Sequence, residues 1–192
     1  LRDSFFERGL SRGSVSRMFS TIRAIINFTT REVGLSEINS FSGVYLGDDR
    51  EGSETKRNPI PLETIRSVQD DCRVMSDEVR WLVALISDTG MRLSEAVGLL
   101  KDDLSLEEEY PHILLKAHTS RRLKTKGSER IVPLVGAAFW AAQKAFNSTE
   151  TNFLFPRYCN ETECKSNSAS AVSNKWLRPK ADMGGAKFVI LN

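Results

Sequence analysis

The sequence is poor in the residues from which metal and redox sites are built: three cysteines and two histidines in 192 residues. An odd cysteine count, with no secretory pattern at the start, argues against a disulfide framework and for a reducing, cytoplasmic setting. Cys159 and Cys164 flank "NETE", but no histidine follows His118. A zinc site would lack its remaining ligands, so no metal is expected and both are read as free loop thiols. Long apolar runs are also missing. No stretch approaches the roughly 20 residues of a membrane-spanning helix, so no membrane partner is expected. Charge of one sign is scarce as well. Twenty-seven basic and 25 acidic residues leave a net charge of +2, which by itself does not point to nucleic acid. The start, "LRDSFFERGL", has no initiator Met and no signal-peptide pattern, and reads as the trimmed edge of a longer protein.

What is present fits a folded, soluble chain, with 40% hydrophobic and 27% charged residues. The charges are segregated. Acidic residues gather in "GDDREGSE" and "SLEEEY", and basic ones in "SRRLKTKGSER". A local basic segment can bind phosphate although the whole chain is nearly neutral.

The spacing of Val15, Met18, Phe19, Ile22, Ile25 and Ile26 predicts an amphipathic helix over 14–33, with Ser14 as N-cap and Gly34 as stop. Arg12, Arg17, Arg23 and Arg31 decorate its other faces, and read as a solvated surface in preference to phosphate contacts. One helix with short flanks cannot bury that stripe, so residues 1–46 read as part of a small helical domain. Residues 47–59, "GDDREGSETKRNP", read as a linker. A helix is predicted over 61–72, and a second, buried one over 76–88 with a Ser76 cap. Thr89-Gly90 breaks it, and "MRLSEAVGLL" starts the next. "HILLKA" (112–117) reads as a strand, and "RRLKTKGSERIVPL" (121–134) as strand, tight turn near Gly127-Ser128, and strand. Helices follow at 136–146 and within 166–180, with a short extended piece, "NFLFP", between them. The expected fold is mainly α with a small antiparallel sheet (α+β).

Arg92 restarts a helix directly after a glycine break, with Glu95 three residues on and on the same face. An arginine facing the preceding buried helix needs an anionic partner. Two readings stand: a structural Arg92–Glu95 ion pair, or a guanidinium held for a phosphate and oriented by the carboxylate. The hairpin adds Arg121, Arg122, Lys124, Lys126 and Arg130. These read as phosphate contacts, or as lysines protecting an edge strand.

Together, "TGMRLSEAVGLLKDDL" and "LKTKGSERIVPL" resemble the tyrosine recombinase, or phage integrase, family. The first resembles its catalytic-arginine motif and the second its β-hairpin lysine motif. "ERGLSRGSVSRMFSTIRAIINFTTREVGL" is similar to the last helices of the family's core-binding domain. The resemblance implies a core-binding piece over 1–46, the linker at 47–59, and an incomplete DNA breaking-rejoining catalytic domain over 60–192. It implies double-stranded DNA as partner, a homotetramer on DNA, site-specific recombination or integration for a mobile element or prophage, and no cofactor. A tyrosine cuts one strand through a 3′-phosphotyrosyl bond, and two arginines stabilise the transition state. A lysine protonates the leaving 5′-oxygen. By position Arg92 matches the first arginine, Glu95 the acid that braces it, and Lys124 the general acid, with Lys126 as the alternative. Arg121, Arg122, Lys126 and Arg130 are the candidate DNA contacts.

The match stops there. No His-x-x-Arg follows the hairpin, since His112 and His118 both precede it, and Tyr45, Tyr110 and Tyr158 lie in the wrong order for the nucleophile. Arg178 belongs to the helix ahead of the missing motif. The chain is expected to be incapable of strand cleavage as it stands. A non-catalytic DNA-binding remnant or regulator of a recombination site is the second reading. A helical interaction module without a DNA role is the third.

Overall fold

The structure, a computed structural model, describes residues 1–36, 38–46, 60–118, 121 and 128–181. The predicted linker and the tip of the hairpin, with Arg122, Lys124 and Lys126, lie outside these residues. The chain divides into two compact units, 1–56 and 57–192.

The first unit holds α1 (Arg2–Glu7) and α2 (Arg12–Val33). The cap of α2 is Ser11, not Ser14: the Ser11 hydroxyl accepts the Ser14 amide at 3.3 Å. Ser11 wins because its backbone is extended, as an N-cap requires, whereas Ser14 already lies inside the first turn. Gly34 closes the helix in the left-handed region at φ 70°, as its position predicts. Val15 and Phe19 are buried, and Phe19 meets the Phe5 ring edge-on at 6.1 Å and Phe41 at 6.0 Å. Met18 and Ile25, expected on the buried stripe, are exposed, and Ile22 and Ile26 are half-buried. Two helices and a returning loop offer too little surface to cover the whole stripe.

The second unit starts with α3 (Leu62–Met75) and α4 (Glu78–Thr89). Ser76 does not cap α4. It closes α3 with φ 42°, and Asp77 caps α4 by accepting the Arg80 amide at 3.0 Å. A carboxylate is the better acceptor at a helix N-terminus. Helix α4 is buried on Val79, Leu82, Val83, Ala84, Leu85 and Ile86 and packs on α6 (Gly136–Ser148). The facing side of α6 is nearly all alanine (Ala137, Ala138, Ala141, Ala142 and Ala145), which permits a close approach. Asp88 ties three helices together. Its Oδ2 accepts the Ala137 amide at 2.8 Å and the Ala138 amide at 3.3 Å, and its Oδ1 accepts Gln69 of α3 at 2.7 Å. Gly136 sits at φ 52°, where an added Cβ would come 2.9 Å from Asp88 Oδ2.

After the short α5 (Leu93–Val97) and a 3-10 turn (Lys101–Asp103), three antiparallel strands follow in the order β1 (Leu104–Ser105), β2 (His112–Leu115) and β3 (Arg130–Pro133). The register sets Ile113 against Val132 on the buried face and Leu114 against Ile131 on the exposed one. Strand β2 ends at Leu115, two residues earlier than predicted. Arg121 is not in a strand but forms an isolated bridge with His118. The extended piece near residue 153 pairs back on Leu100, with Leu154 donating to the Leu99 carbonyl at 2.9 Å. Helix α7 (Ser166–Ala181) buries Ala169, Ser173 and Leu177, a spacing of four.

The cysteine expectation is corrected. Cys159 and Cys164 form a disulfide across an antiparallel bridge. The turn between them is folded by Asn160, whose Oδ1 accepts the Thr162 and Glu163 amides at 2.9 and 3.0 Å. Among the described residues no helix is long and apolar enough to cross a membrane.

Removing the three-helix cap should be costly. Asp88→Ala is expected to lower unfolding free energy by about 1–3 kcal/mol, because two helix amides and the Gln69 amide lose their acceptor. Urea denaturation of the two proteins checks this.

Candidate DNA-phosphate site

Gly90 ends α4 in the left-handed region at φ 61°, and the chain turns so that Met91 is buried and Arg92 leaves in extended geometry. Arg92 is the residue before α5, not part of it. The helix stops at Val97, so "MRLSEAVGLL" is one and a half turns rather than three. The acid at its third position reaches back: Glu95 Oε2 accepts the Arg92 amide at 3.1 Å. Glu95 Oε1 accepts Arg92 Nη1 at 2.7 Å.

The expected burial is inverted. The Arg92 side chain is 51% exposed, while that of Glu95 is 3% exposed. It is the glutamate that is enclosed and needs partners, and the arginine faces outward. Glu95 finds a second cation in Arg130, whose Nη2 donates to Oε2 at 2.9 Å. Burial alone would raise the Glu95 pKa. The hydrogen bonds from Arg130 and from the Arg92 amide and guanidinium outweigh it and hold the carboxyl below its usual range. Glu95 is therefore ionised at neutral pH. The ion-pair and phosphate readings of Arg92 are thus compatible: one Nη1 bond braces the guanidinium, and half of the side chain still meets solvent.

Arg121, expected on DNA, is corrected. Its side chain is 1% exposed. It donates to Asp103 Oδ2 at 2.9 Å, to the Gly98 carbonyl at 3.2 Å and to the Lys116 carbonyl through Nε and Nη2 at 3.1 and 2.6 Å. Four hydrogen bonds to three acceptors hold the enclosed guanidinium, so it is not presented to a phosphate. The approach is close: a Cβ on Gly98 would lie 3.1 Å from the Arg121 Cβ. Asp103 also accepts the Leu100 amide at 3.0 Å. This network joins the end of α5, the 3-10 turn and the far end of β2.

His118 to Arg121 has His-x-x-Arg spacing, ahead of the hairpin instead of after it. Here it is a turn, with the His118 and Arg121 backbones exchanging hydrogen bonds at 3.1 Å in both directions. His118 Nε2 lies 3.0 Å from the Gly98 carbonyl, which can only accept, so Nε2 carries the proton. Desolvation, followed by the Arg121 charge, lowers the His118 pKa.

The other candidates are placed as follows. Arg130 is 37% exposed and is held by Glu95 and by the Ser128 carbonyl at 3.0 Å. Lys124, Lys126 and Arg122 lie outside the described residues. Tyr45 and Tyr110 are exposed. Tyr158 is buried, its hydroxyl has no hydrogen-bond partner among the described residues, and desolvation raises its pKa, so it is poorly suited to act as a nucleophile.

The model of the phage integrase family matches residues 63–183, more than half of the chain. The chain belongs to the phage integrase family. Among curated family members, it is 27% identical over 163 residues to the tyrosine recombinase XerC of Pseudomonas fluorescens, covering 79% of this chain and 52% of that protein. It is 31% identical over 101 residues to XerC of Bacillus subtilis, covering 53% and 33%. The chain thus spans about half the length of these relatives, or less. The integrase of transposon Tn1549, solved in complex with circular intermediate DNA, shares the fold with a TM-score of 0.66 at 17% identity, over 98% of this chain and 64% of that one. The family match includes Arg92, Glu95, Arg121 and Arg130 and leaves out α1 and α2.

The depressed His118 pKa sets a pH dependence. The unfolded state, with the higher pKa, binds the proton first, so this contribution is present above about 6.5. It is lost as pH falls toward the folded value. His118→Gln is expected to flatten the decline in melting temperature between pH 7 and pH 5. Thermal melts across that range measure it.

Proposed function

We propose that this chain is part of a site-specific DNA recombinase that cuts and rejoins strands by transesterification, and that Arg92 is the phosphate-gripping arginine of its active site. The observation that carries the reading is a half-exposed guanidinium fixed by a buried, ionised carboxylate. Such an arrangement is prearranged for an anion and needs no reorganisation when charge develops. In this reading Arg92 donates to a non-bridging oxygen of the scissile phosphate and Glu95 orients it. Lys124, or Lys126 in its place, gives a proton to the departing 5′-oxygen. The tyrosine oxygen takes the phosphorus, so one phosphodiester is exchanged for another and no ATP is consumed.

Residues 60–192 are proposed as catalytic-domain sequence, 47–59 as a linker and 1–46 as core-binding sequence, with double-stranded DNA as the partner. The working assembly is proposed to be a homotetramer on DNA, in the recombination of a mobile element such as a prophage. Arg122 and Lys126 remain the proposed phosphate contacts, Arg130 is proposed to act on the phosphate through its contact with Glu95, and Arg121 is withdrawn from the set. Tyr45, Tyr110 and Tyr158 are not assigned as nucleophile, so residues 1–192 alone are proposed to bind DNA without cutting it.

Residues 1–192 are expected to bind duplex DNA with an affinity that falls steeply with salt. Neutralising Arg122 and Lys124 together should reduce the slope of log K against log salt by about two, whereas Arg121→Met should lower stability instead. Fluorescence anisotropy between low and moderate salt is the measurement. Binding that is absent even at low salt would contradict the proposal. Binding with no strand cleavage after addition of a relative's tyrosine-bearing segment would favour the regulator reading.

A further inference from the structure

Arg130 is placed where its charge acts on Arg92. It heads β3 opposite Leu115, a fully buried residue, and cross-strand partners share a face. Its side chain therefore enters the buried side of the sheet and reaches Glu95, 35 residues earlier. There it takes Oε2, the oxygen that also receives the Arg92 amide. Arg92 Nη1 is left with Oε1.

Two consequences follow from this division of the carboxylate. The first is geometric. A free carboxylate beside an arginine tends to be gripped by two parallel N–H bonds. With Oε2 occupied, Arg92 gives Glu95 one side-chain bond, and among the described residues its other guanidinium donors meet no acceptor. The second is electrostatic. Arg92 and Glu95 alone sum to zero charge, which attracts a phosphodiester monoanion poorly. Arg92, Glu95 and Arg130 together carry +1.

We infer that Arg130 is a positioning residue for Arg92, acting through the shared Glu95 carboxylate: it occupies Oε2 and supplies the second positive charge, so that Arg92 keeps the free donors and the net charge that phosphate capture requires. The choice of phosphate as ligand rests on the recombinase reading above.

The test follows the Nε–H resonances of Arg92 and Arg130 in 15N-labelled protein during titration with inorganic phosphate and, separately, with a short duplex. In the wild type both probes should shift Arg92. Arg130→Gln should weaken the Arg92 response to phosphate roughly three- to tenfold. Arg130→Lys, which keeps the charge, should stay within about twofold of wild type. Glu95→Gln removes the carboxylate that links the two arginines, so the affinity should change and in that background Arg130→Gln should cost less than in the wild type. A purely structural Arg130 would move the melting temperature and leave these affinities unchanged.

A folded Arg130→Gln protein with an unaltered Arg92 response overturns the inference. If that variant does not fold, an unchanged affinity in Glu95→Gln overturns it instead. A wild-type Arg92 that answers neither probe also overturns it. Response to phosphate but not to duplex would leave the inference standing and remove the recombinase reading. Duplex binding with no influence of Arg130 on Arg92 would do the reverse.

Discussion

The buried carboxylate of Glu95 is the interaction on which the site depends. An ionised group so enclosed is tolerated only if its oxygens are paired. Three donors do this: the Arg92 amide, the Arg92 guanidinium and the Arg130 guanidinium. They come from the helix break after Gly90 and from the start of β3, so a single acid joins the two segments that carry the recombinase motifs. The glycine break has its reason here. A helix running straight through residue 90 could not present Arg92 in extended geometry just ahead of the turn that Glu95 closes.

A second buried pair works beside it with a different result. Arg121 and Asp103 are both enclosed, and their partners are mostly backbone carbonyls and amides. Replacing one partner would strand a charge, which is far more costly than the pair is favourable. Its contribution is to fix where the chain leaves β2 for the hairpin, while the Arg130 contact fixes where it returns. The two ends of the lysine-bearing segment are thereby tied to the middle of α5, at Glu95, and to the residue that closes it, Gly98. Both anchors are arginines, whose planar, multi-donor heads suit contacts to several oxygens at once.

Much of this was legible from local pattern. The helical spacing of α2, α3, α4 and α6, the stops at Gly34 and Gly90, and strands β2 and β3 follow from periodicity and turn residues, whereas β1, two residues inside an acidic segment, does not. The caps were displaced by a few residues, because Ser11 and Asp77 compete with equally plausible neighbours at Ser14 and Ser76. The longer-range facts were not legible. Arg121 and Arg130 look alike within one basic run, yet their partners lie 18 and 35 residues earlier. Only the fold tells that Arg121 is enclosed under Gly98 while Arg130 stays partly open. The pairing of Cys159 with Cys164 depends on the tight turn at Asn160, which composition alone does not reveal.

The measurement that tests the account most directly is a structure of residues 1–192 bound to duplex DNA, read at Arg92. An Arg92 guanidinium nitrogen is expected within hydrogen-bond distance, about 3 Å, of a backbone phosphate oxygen, with Glu95 still holding the guanidinium from behind. A complex in which the DNA lies on another face, with Arg92 left in solvent, would contradict it.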